Sequence, residues 1–225
     1  MKQKIHPAWI VAGITFGTLF ATAGFRSAPS VLILPLEEDF GWRRDVISLA
    51  VAINVLLYGL TAPFAAALMD RFGIRRVVMG ALTTIGTGAL CTIWMTKPWH
   101  LVALWGVVVG IGTGSMALVF AASVANRWFV KKKGLVIGIL TAATATGQLI
   151  FLPGLTRLSM DHGWKSISIT ISIAAIAMVP FIALFLRESP TSVGMLPYGA
   201  KPDWQPPKKS EIPVGKLAIV TLKEA

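Results

Sequence analysis

The stretch that decides the fold runs over Ala66–Gly80 and reads AALMDRFGIRRVVMG. Its charged centre, Asp70–Arg76, separates two apolar runs, Val46–Met69 and Val77–Thr96. At about 1.5 Å per residue, a helix over either run is long enough to cross the roughly 30 Å hydrocarbon core of a bilayer. A barrel strand would need only about ten residues, with alternating apolar and polar positions. The stretch therefore predicts a tight loop between two membrane-spanning helices.

Four more apolar runs of similar length flank this pair: Ala8–Leu36, Trp99–Ala125, Gly134–Thr156 and Lys165–Leu186. Backbone polar groups have no water to bond inside lipid, so runs of this length must form helices. The composition agrees, because 55% of the residues are hydrophobic and only 14% are charged, against roughly 25% charged in soluble domains. The sequence predicts an all-α membrane protein, a bundle of six transmembrane helices.

The net charge of +11 is distributed unevenly along the chain. Of the 21 lysines and arginines, 15 fall on the same predicted side of the membrane as the Asp70 loop. The positive-inside rule makes that side cytoplasmic, so both termini are expected in the cytoplasm and the chain in the plasma (inner) membrane. Contact with anionic membrane lipid explains the excess of basic residues, and no nucleic-acid partner is predicted.

The composition changes after the sixth run, where proline and lysine become frequent. We expect residues 1–187 to form the N-terminal six-helix transmembrane bundle and residues 188–225 to form a cytoplasmic linker. Gly215–Ala225 could begin a short amphipathic helix. Because a linker normally connects two parts, a second six-helix half is expected, either as a missing C-terminal part or as a second copy of this chain.

Arg26 is the only charged residue inside an apolar run, and a charge at membrane depth costs at least about 2.5–3.5 kcal/mol on insertion scales. Helical spacing predicts that it shares one polar stripe with four residues: Thr15, Thr18, Thr22 and Ser30. Such a stripe favours a lining for water, substrate or a polar neighbour. The alternative is that Arg26, roughly 27 Å along its helix, reaches out to the membrane surface.

Two shorter polar stripes follow helical spacing: Asn54, Tyr58 and Thr61 on the second run, and Thr141, Thr144 and Gln148 on the fifth. We interpret Asn54, Tyr58 and Gln148 as candidate ligand-binding residues beside Arg26, because a buried amide needs several hydrogen-bond partners. The alternative is interhelical hydrogen bonding, worth about 0.6 kcal/mol for each bond. Small residues on the fourth run, including Gly106, Gly110 and Gly114, indicate a packing seam.

The loop Asp70-Arg71-x-Gly73-x-Arg75-Arg76 resembles the cytoplasmic signature loop of the major facilitator superfamily, with Ala66 where the family has its leading glycine. Three more stretches resemble the monocarboxylate and oxalate/formate-like branch of that superfamily: Leu36–Arg43, Asn126–Lys133 and Pro190–Gly199. The resemblance implies two six-helix halves that rock about a central site, of which this chain matches the first.

The resemblance also implies roles for particular residues. In some members a basic residue near the place of Arg26 engages the substrate carboxylate, which favours a small organic anion as substrate. Asp70, Arg71, Gly73, Arg75 and Arg76 would form a gating motif that stabilises one state of the transport cycle. Protons are a candidate coupling ion, although the acid–arginine pair used for proton coupling in the family belongs to its second half.

Other classes of protein remain as alternatives. A multidrug or efflux member of the same superfamily would not depend on Arg26, and Gly106 stands near the place where such antiporters carry an arginine. A six-helix scaffold or a channel-like homodimer would have no alternating access. We predict no enzyme, cofactor or metal site, because no nucleotide-binding, zinc or hydrolase motif occurs and Cys91 is the single cysteine.

Overall fold

A computed structural model of the chain describes residues 6–205, so the possible helix at Gly215–Ala225 lies outside the described residues. Six helices in this range are long and apolar enough to cross a membrane: α1 (Pro7–Phe40), α2 (Arg44–Phe72), α3 (Ile74–Trp94), α4 (Pro98–Trp128), α5 (Lys133–His162) and α6 (Trp164–Phe185). The prediction of an all-α bundle of six membrane helices is confirmed. Most predicted ends lie within about four residues of the observed ones, and α5 continues six residues beyond its predicted end.

Single glycines reverse the chain between two of the helix pairs. Gly73 joins α2 to α3 with φ +94°, and Gly163 joins α5 to α6 with φ +77°. A residue with a Cβ is strained at such backbone angles, whereas glycine adopts them readily. Asp70, the end of α4 and the segment that follows α6 lie together at one end of the bundle, here called the motif end, because Arg127 contacts both Asp70 and Glu188.

The helices pack most extensively in three pairs: α1 with α5, α2 with α4, and α3 with α6. The predicted seam of α4 lies against α2, where an added Cβ at Gly106 would come within 3.1 Å of the Ala50 carbonyl oxygen. At Gly114 it would lie 2.8 Å from the Tyr58 carbonyl oxygen. Between α3 and α6, Ser172 donates to the carbonyl of Gly86 at 2.8 Å. Missing side chains thus let backbones approach closely.

Two of the membrane helices are irregular. In α1, the α-helical segments Pro7–Thr22 and Gly24–Phe40 are separated at Ala23, whose N–H bonds the Phe20 carbonyl three residues back. An added Cβ on Gly147 of α5 would lie 2.5 Å from the Ala23 Cβ, so α5 packs directly on this interruption. In α4, Val102–Val109 is π-helical. Irregular turns of this kind are frequent at functional sites.

Candidate functional site

Arg26 and Tyr58 form a pair between α1 and α2. Nη1 of Arg26 donates to the Tyr58 hydroxyl at 2.7 Å, and the guanidinium carbon lies 4.4 Å from the centre of the Tyr58 ring. The interaction therefore combines a hydrogen bond with a cation–π contact, and each holds the guanidinium against α2. The Arg26 side chain is nevertheless exposed on the face of the bundle.

The depth of this pair in the membrane follows from the helix bounds. Tyr58 is the central residue of α2, with 14 residues on either side of it, so its Cα lies about 21 Å from either end of the helix. An arginine that reached for the surface would extend toward a helix end. The guanidinium of Arg26 instead contacts a side chain from the middle of α2.

A small recess of about 30 Å³ opens beside this pair. Five helices contribute to its walls, and the lining side chains are Leu19, Thr22, Phe25, Arg26, Tyr58, Ile85, Thr113, Met116 and Thr144. Thr113 is the central residue of α4, which again indicates mid-depth. The recess thus combines one cation, four hydroxyl groups and a mostly aliphatic inner wall. The sequence did not predict five of these residues as part of the site: Leu19, Phe25, Ile85, Thr113 and Met116. Apolar residues are common throughout membrane helices, and Thr113 lies on the small-residue face of α4 that indicated packing.

The predicted threonine stripe of α1 divides into two parts. Thr15 and Thr18 are fully buried, and each hydroxyl donates at 2.8 Å to the carbonyl four residues earlier. Thr22 bonds the Leu19 carbonyl and also reaches the recess. Ser30 donates to the Ser27 carbonyl at 2.7 Å. Of this stripe, therefore, Thr22 and Arg26 line the recess, whereas Thr15 and Thr18 are buried and bonded within their own helix.

The other polar candidates lie on two different helices. Asn54 donates from Nδ2 to the Trp105 carbonyl at 2.8 Å, which ties α2 to the π-helical part of α4 and leaves its Oδ1 as the remaining acceptor. Gln148 is half-buried on α5, and its side-chain amide bonds none of the residues that the structure describes. Its backbone carbonyl accepts from Ser27 at 3.3 Å. Neither amide lines the Arg26 recess, so the structure brings together only Arg26 and Tyr58 of the four candidates.

Arg127, at the end of α4, connects the charged groups of the motif end. Its Nη2 donates to the Asp70 carboxylate at 2.9 Å and to the Met69 carbonyl at 2.7 Å. Its Nη1 lies 3.7 Å from the Glu188 carboxylate. Asp70 therefore pairs with α4, and both Arg127 and Glu188 are members of the charged cluster that the sequence analysis missed.

Glu188 caps the first turn of α3. Its two carboxylate oxygens accept from the backbone N–H groups of Ile74 at 2.7 Å and of Arg75 at 3.1 Å. A carboxylate is favourable there because the free N–H groups of a helix start carry partial positive charge. An added Cβ on Gly73 would lie 2.5 Å from Oε1 of Glu188, so glycine serves both the turn and the cap.

The remaining arginines of the motif lie in different surroundings. Arg71 is exposed, with its guanidinium carbon 5.3 Å from the centre of the Phe72 ring. Arg75 is half-buried, and its Nε finds no hydrogen-bond partner among the described residues. Arg76 is exposed. Within residues 6–205, the contacts of the motif therefore centre on Asp70, Gly73 and the start of α3.

The segment that follows α6 packs back on the bundle. The Tyr198 N–H donates to the Trp128 carbonyl at 2.8 Å, and its carbonyl accepts from Val130 at 2.9 Å. Its ring makes edge contacts with His6 and Trp9, at centroid distances of 5.6 and 5.7 Å. The predicted linker thus touches the bundle through Glu188 and Tyr198, a contact that composition alone did not indicate.

These features define the chain as an integral membrane protein, a six-helix bundle with a polar recess at mid-depth and a charged loop after its second helix. The sequence profile described as the Major Facilitator Superfamily matches residues 14–219, and the chain belongs to that superfamily. The resemblance drawn from the Asp70 loop is therefore confirmed.

Several curated relatives are similar to most of this chain. An uncharacterized MFS-type transporter of Bacillus subtilis, YcxA, is 26% identical over 191 residues, which cover 84% of this chain and 47% of the relative. Human monocarboxylate transporters 7 and 11 are each 24% identical, over 78% and 79% of this chain and 34% and 38% of their own lengths. The chain thus spans less than half the length of each of these relatives.

Proposed function

We propose that this chain forms the first half of a secondary active transporter that moves small organic anions, with monocarboxylates as the substrate class. The proposal rests on one observation: the positive charge of Arg26 at mid-depth is held by a neutral residue. Among the residues that the structure describes, no carboxylate lies within 4.0 Å of Arg26.

The chemistry of the pair suits a carboxylate. A guanidinium has five N–H donors in a planar fork, and the bond to Tyr58 uses one of them. The remaining donors match the two oxygens of a carboxylate, which arginine binds with two parallel hydrogen bonds. The Tyr58 hydroxyl accepts from Arg26, so its own proton is free to donate to the same anion.

The rest of the predicted site would act around this pair. Oδ1 of Asn54 and the side-chain amide of Gln148, neither of which is bonded within residues 6–205, would contact substrate in a state in which the second half closes over the recess. That half would come from the rest of a longer chain or from a second copy, and protons are the proposed coupling ion. We place the transporter in the plasma (inner) membrane with the motif end in the cytoplasm, following the positive-inside rule.

The cluster at the motif end would act as a latch. Asp70, Arg127 and Glu188 connect α2, α4, α6 and the start of α3. Rocking of the two halves needs a rigid body on each side, and this cluster would hold the four helix ends of the first half together. Together with Asp70, the arginines Arg71, Arg75 and Arg76 would stabilise one state of the transport cycle by binding the second half or anionic lipid.

The test is uptake of labelled carboxylates by the complete gene product in liposomes. We expect saturable uptake, and we expect Arg26→Ala to reduce kcat/KM by at least about tenfold, since a charged hydrogen bond contributes about 1.5–3 kcal/mol. Arg43→Ala is the matched control, because Arg43 is an exposed arginine whose ion-pair partner, among the described residues, is its near neighbour Asp45. Unchanged uptake in Arg26→Ala would remove Arg26 from the site.

The same assay separates the alternatives. An efflux transporter would move cationic or lipophilic substrates, and its transport would not depend on Arg26. A scaffold or channel-like homodimer would give a stable pair of chains and flux that does not saturate with substrate concentration.

A further inference from the structure

We propose that Met116 and Ile85 set the length of the hydrocarbon tail that the transported anion can carry. This inference rests on the proposed function, because it requires a carboxylate on Arg26. The recess would then have two functions: the Arg26–Tyr58 pair binds the carboxylate of the substrate, and the apolar inner wall limits the length of its hydrocarbon tail.

The position of the apolar wall supports this division. Leu19, Phe25, Ile85 and Met116 all line the recess beside Arg26, and each is at most 3% exposed. The space between them is about 30 Å³, and a cavity needs at least about 10–15 Å³ on this scale to hold one water-sized group. The space therefore admits a short hydrocarbon tail.

Met116 is the part of the wall that substitution changes most simply. It lies at the turn between two α-helical segments of α4, where its N–H bonds the Thr113 carbonyl at 3.1 Å. Its long, unbranched side chain is buried and lines the recess. Truncation to alanine removes three heavy atoms from the wall and lengthens the recess.

Ile85 gives a way to change the recess in the opposite direction. An added Cβ on Gly112 of α4 would lie 2.6 Å from Cγ1 of Ile85 and 3.1 Å from the Ala81 carbonyl oxygen. The added methyl group would displace the Ile85 side chain, and we expect that side chain to move into the recess that it lines. Gly112→Ala should therefore shorten the recess, because a packed core has no other space to take up the methyl group.

The experiment measures uptake of straight-chain monocarboxylates, from acetate to hexanoate, by the complete gene product in liposomes. Met116→Ala should shift the preferred chain length upward, by about fourfold in relative kcat/KM for each additional methylene group that the recess accepts. Gly112→Ala should shift it toward acetate. Met160→Ala is the matched control, because Met160 lies on α5 with 81% of its surface exposed, and it should keep the wild-type profile.

The outcomes separate this inference from the proposed function. If wild-type protein takes up no carboxylate, both are overturned. If wild-type protein takes up carboxylates and Met116→Ala keeps the wild-type chain-length profile, only the role of the wall is overturned. Should Met116→Ala reduce the yield of folded protein, Ile85→Val provides a milder enlargement, and the same upward shift is expected from it.

Discussion

Arg127 and Arg26 are both arginines with side chains directed toward α2, yet their surroundings differ. Arg127 has two carboxylates and a carbonyl as partners, and only 24% of its side-chain surface is exposed. Arg26 is exposed and has Tyr58 as its hydrogen-bond partner within the described residues. The first charge is neutralised by the fold, and the second is not.

This difference separates a structural arginine from a binding arginine. An arginine that is already paired with carboxylates gains little binding energy from an anionic ligand. Removing such an arginine leaves its carboxylate partners without a counter-charge. A charge held by a neutral phenol keeps its attraction for an anion. Stability measurements should therefore respond to Arg127, and transport measurements should respond to Arg26.

The largest effect on stability is expected from Arg127→Ala. The variant loses charged hydrogen bonds to Asp70 and Met69, and we expect the free energy of unfolding to fall by about 2 kcal/mol, a value reduced for the exposure of Asp70. Arg26→Ala should lower it by less than about 1 kcal/mol, because an exposed guanidinium with one phenol as its partner contributes little. Reversible unfolding in mixed detergent micelles measures both, and equal losses would contradict the comparison.

The contact between Glu188 and the start of α3 can be tested by substituting Gly73, which lies beside the Glu188 carboxylate. Gly73→Ala should cost about 1–2 kcal/mol, because alanine is strained at φ +94° and its Cβ would displace the Glu188 carboxylate from the start of α3. The matched control is Gly134→Ala in α5, where an added Cβ has nothing within 4 Å. That control should gain up to about 1 kcal/mol from helix propensity, so a loss there would argue against the steric explanation.

The smallest effect is expected from Tyr58→Phe. The ring and its cation–π contact remain, and the hydroxyl that accepts from Arg26 is lost. We expect an increase in KM for carboxylates of about fivefold, or about 1 kcal/mol, because the anion keeps its bonds to Arg26 and loses only the bond from the hydroxyl, and we expect almost no change in unfolding. A fall in stability as large as that of Arg127→Ala would show that Tyr58 is a packing residue and not part of the binding pair.

The sequence was sufficient for the fold because the bilayer dictates the length and the apolarity of each helix. The helix irregularities were not predictable in the same way. The interruption at Ala23 lies against Gly147, a residue more than a hundred positions away along the chain. Local sequence carries no record of such a contact, so α1 was predicted as one continuous helix.

The candidate site was predictable only in part. Arg26 was identifiable alone, because a single charge in an apolar run is costly. Its contact with Tyr58 joins residues 32 positions apart, and the bond between Glu188 and Ile74 joins residues 114 apart. A usable signal for Arg127 and Glu188 did exist, since each stands at a helix end on the predicted side of the Asp70 loop.

The interruption of α1 also makes the distance between Arg26 and Tyr58 depend on a residue that touches neither. Arg26 follows Ala23 by three positions, and its N–H bonds the Ala23 carbonyl. A methyl group at position 147 would collide with Ala23 and push the outer part of α1 sideways. Gly147 therefore lets α1 pack directly against α5, because it has no side chain. A substitution at that position alone would move Arg26 relative to Tyr58, even with every residue that lines the recess unchanged.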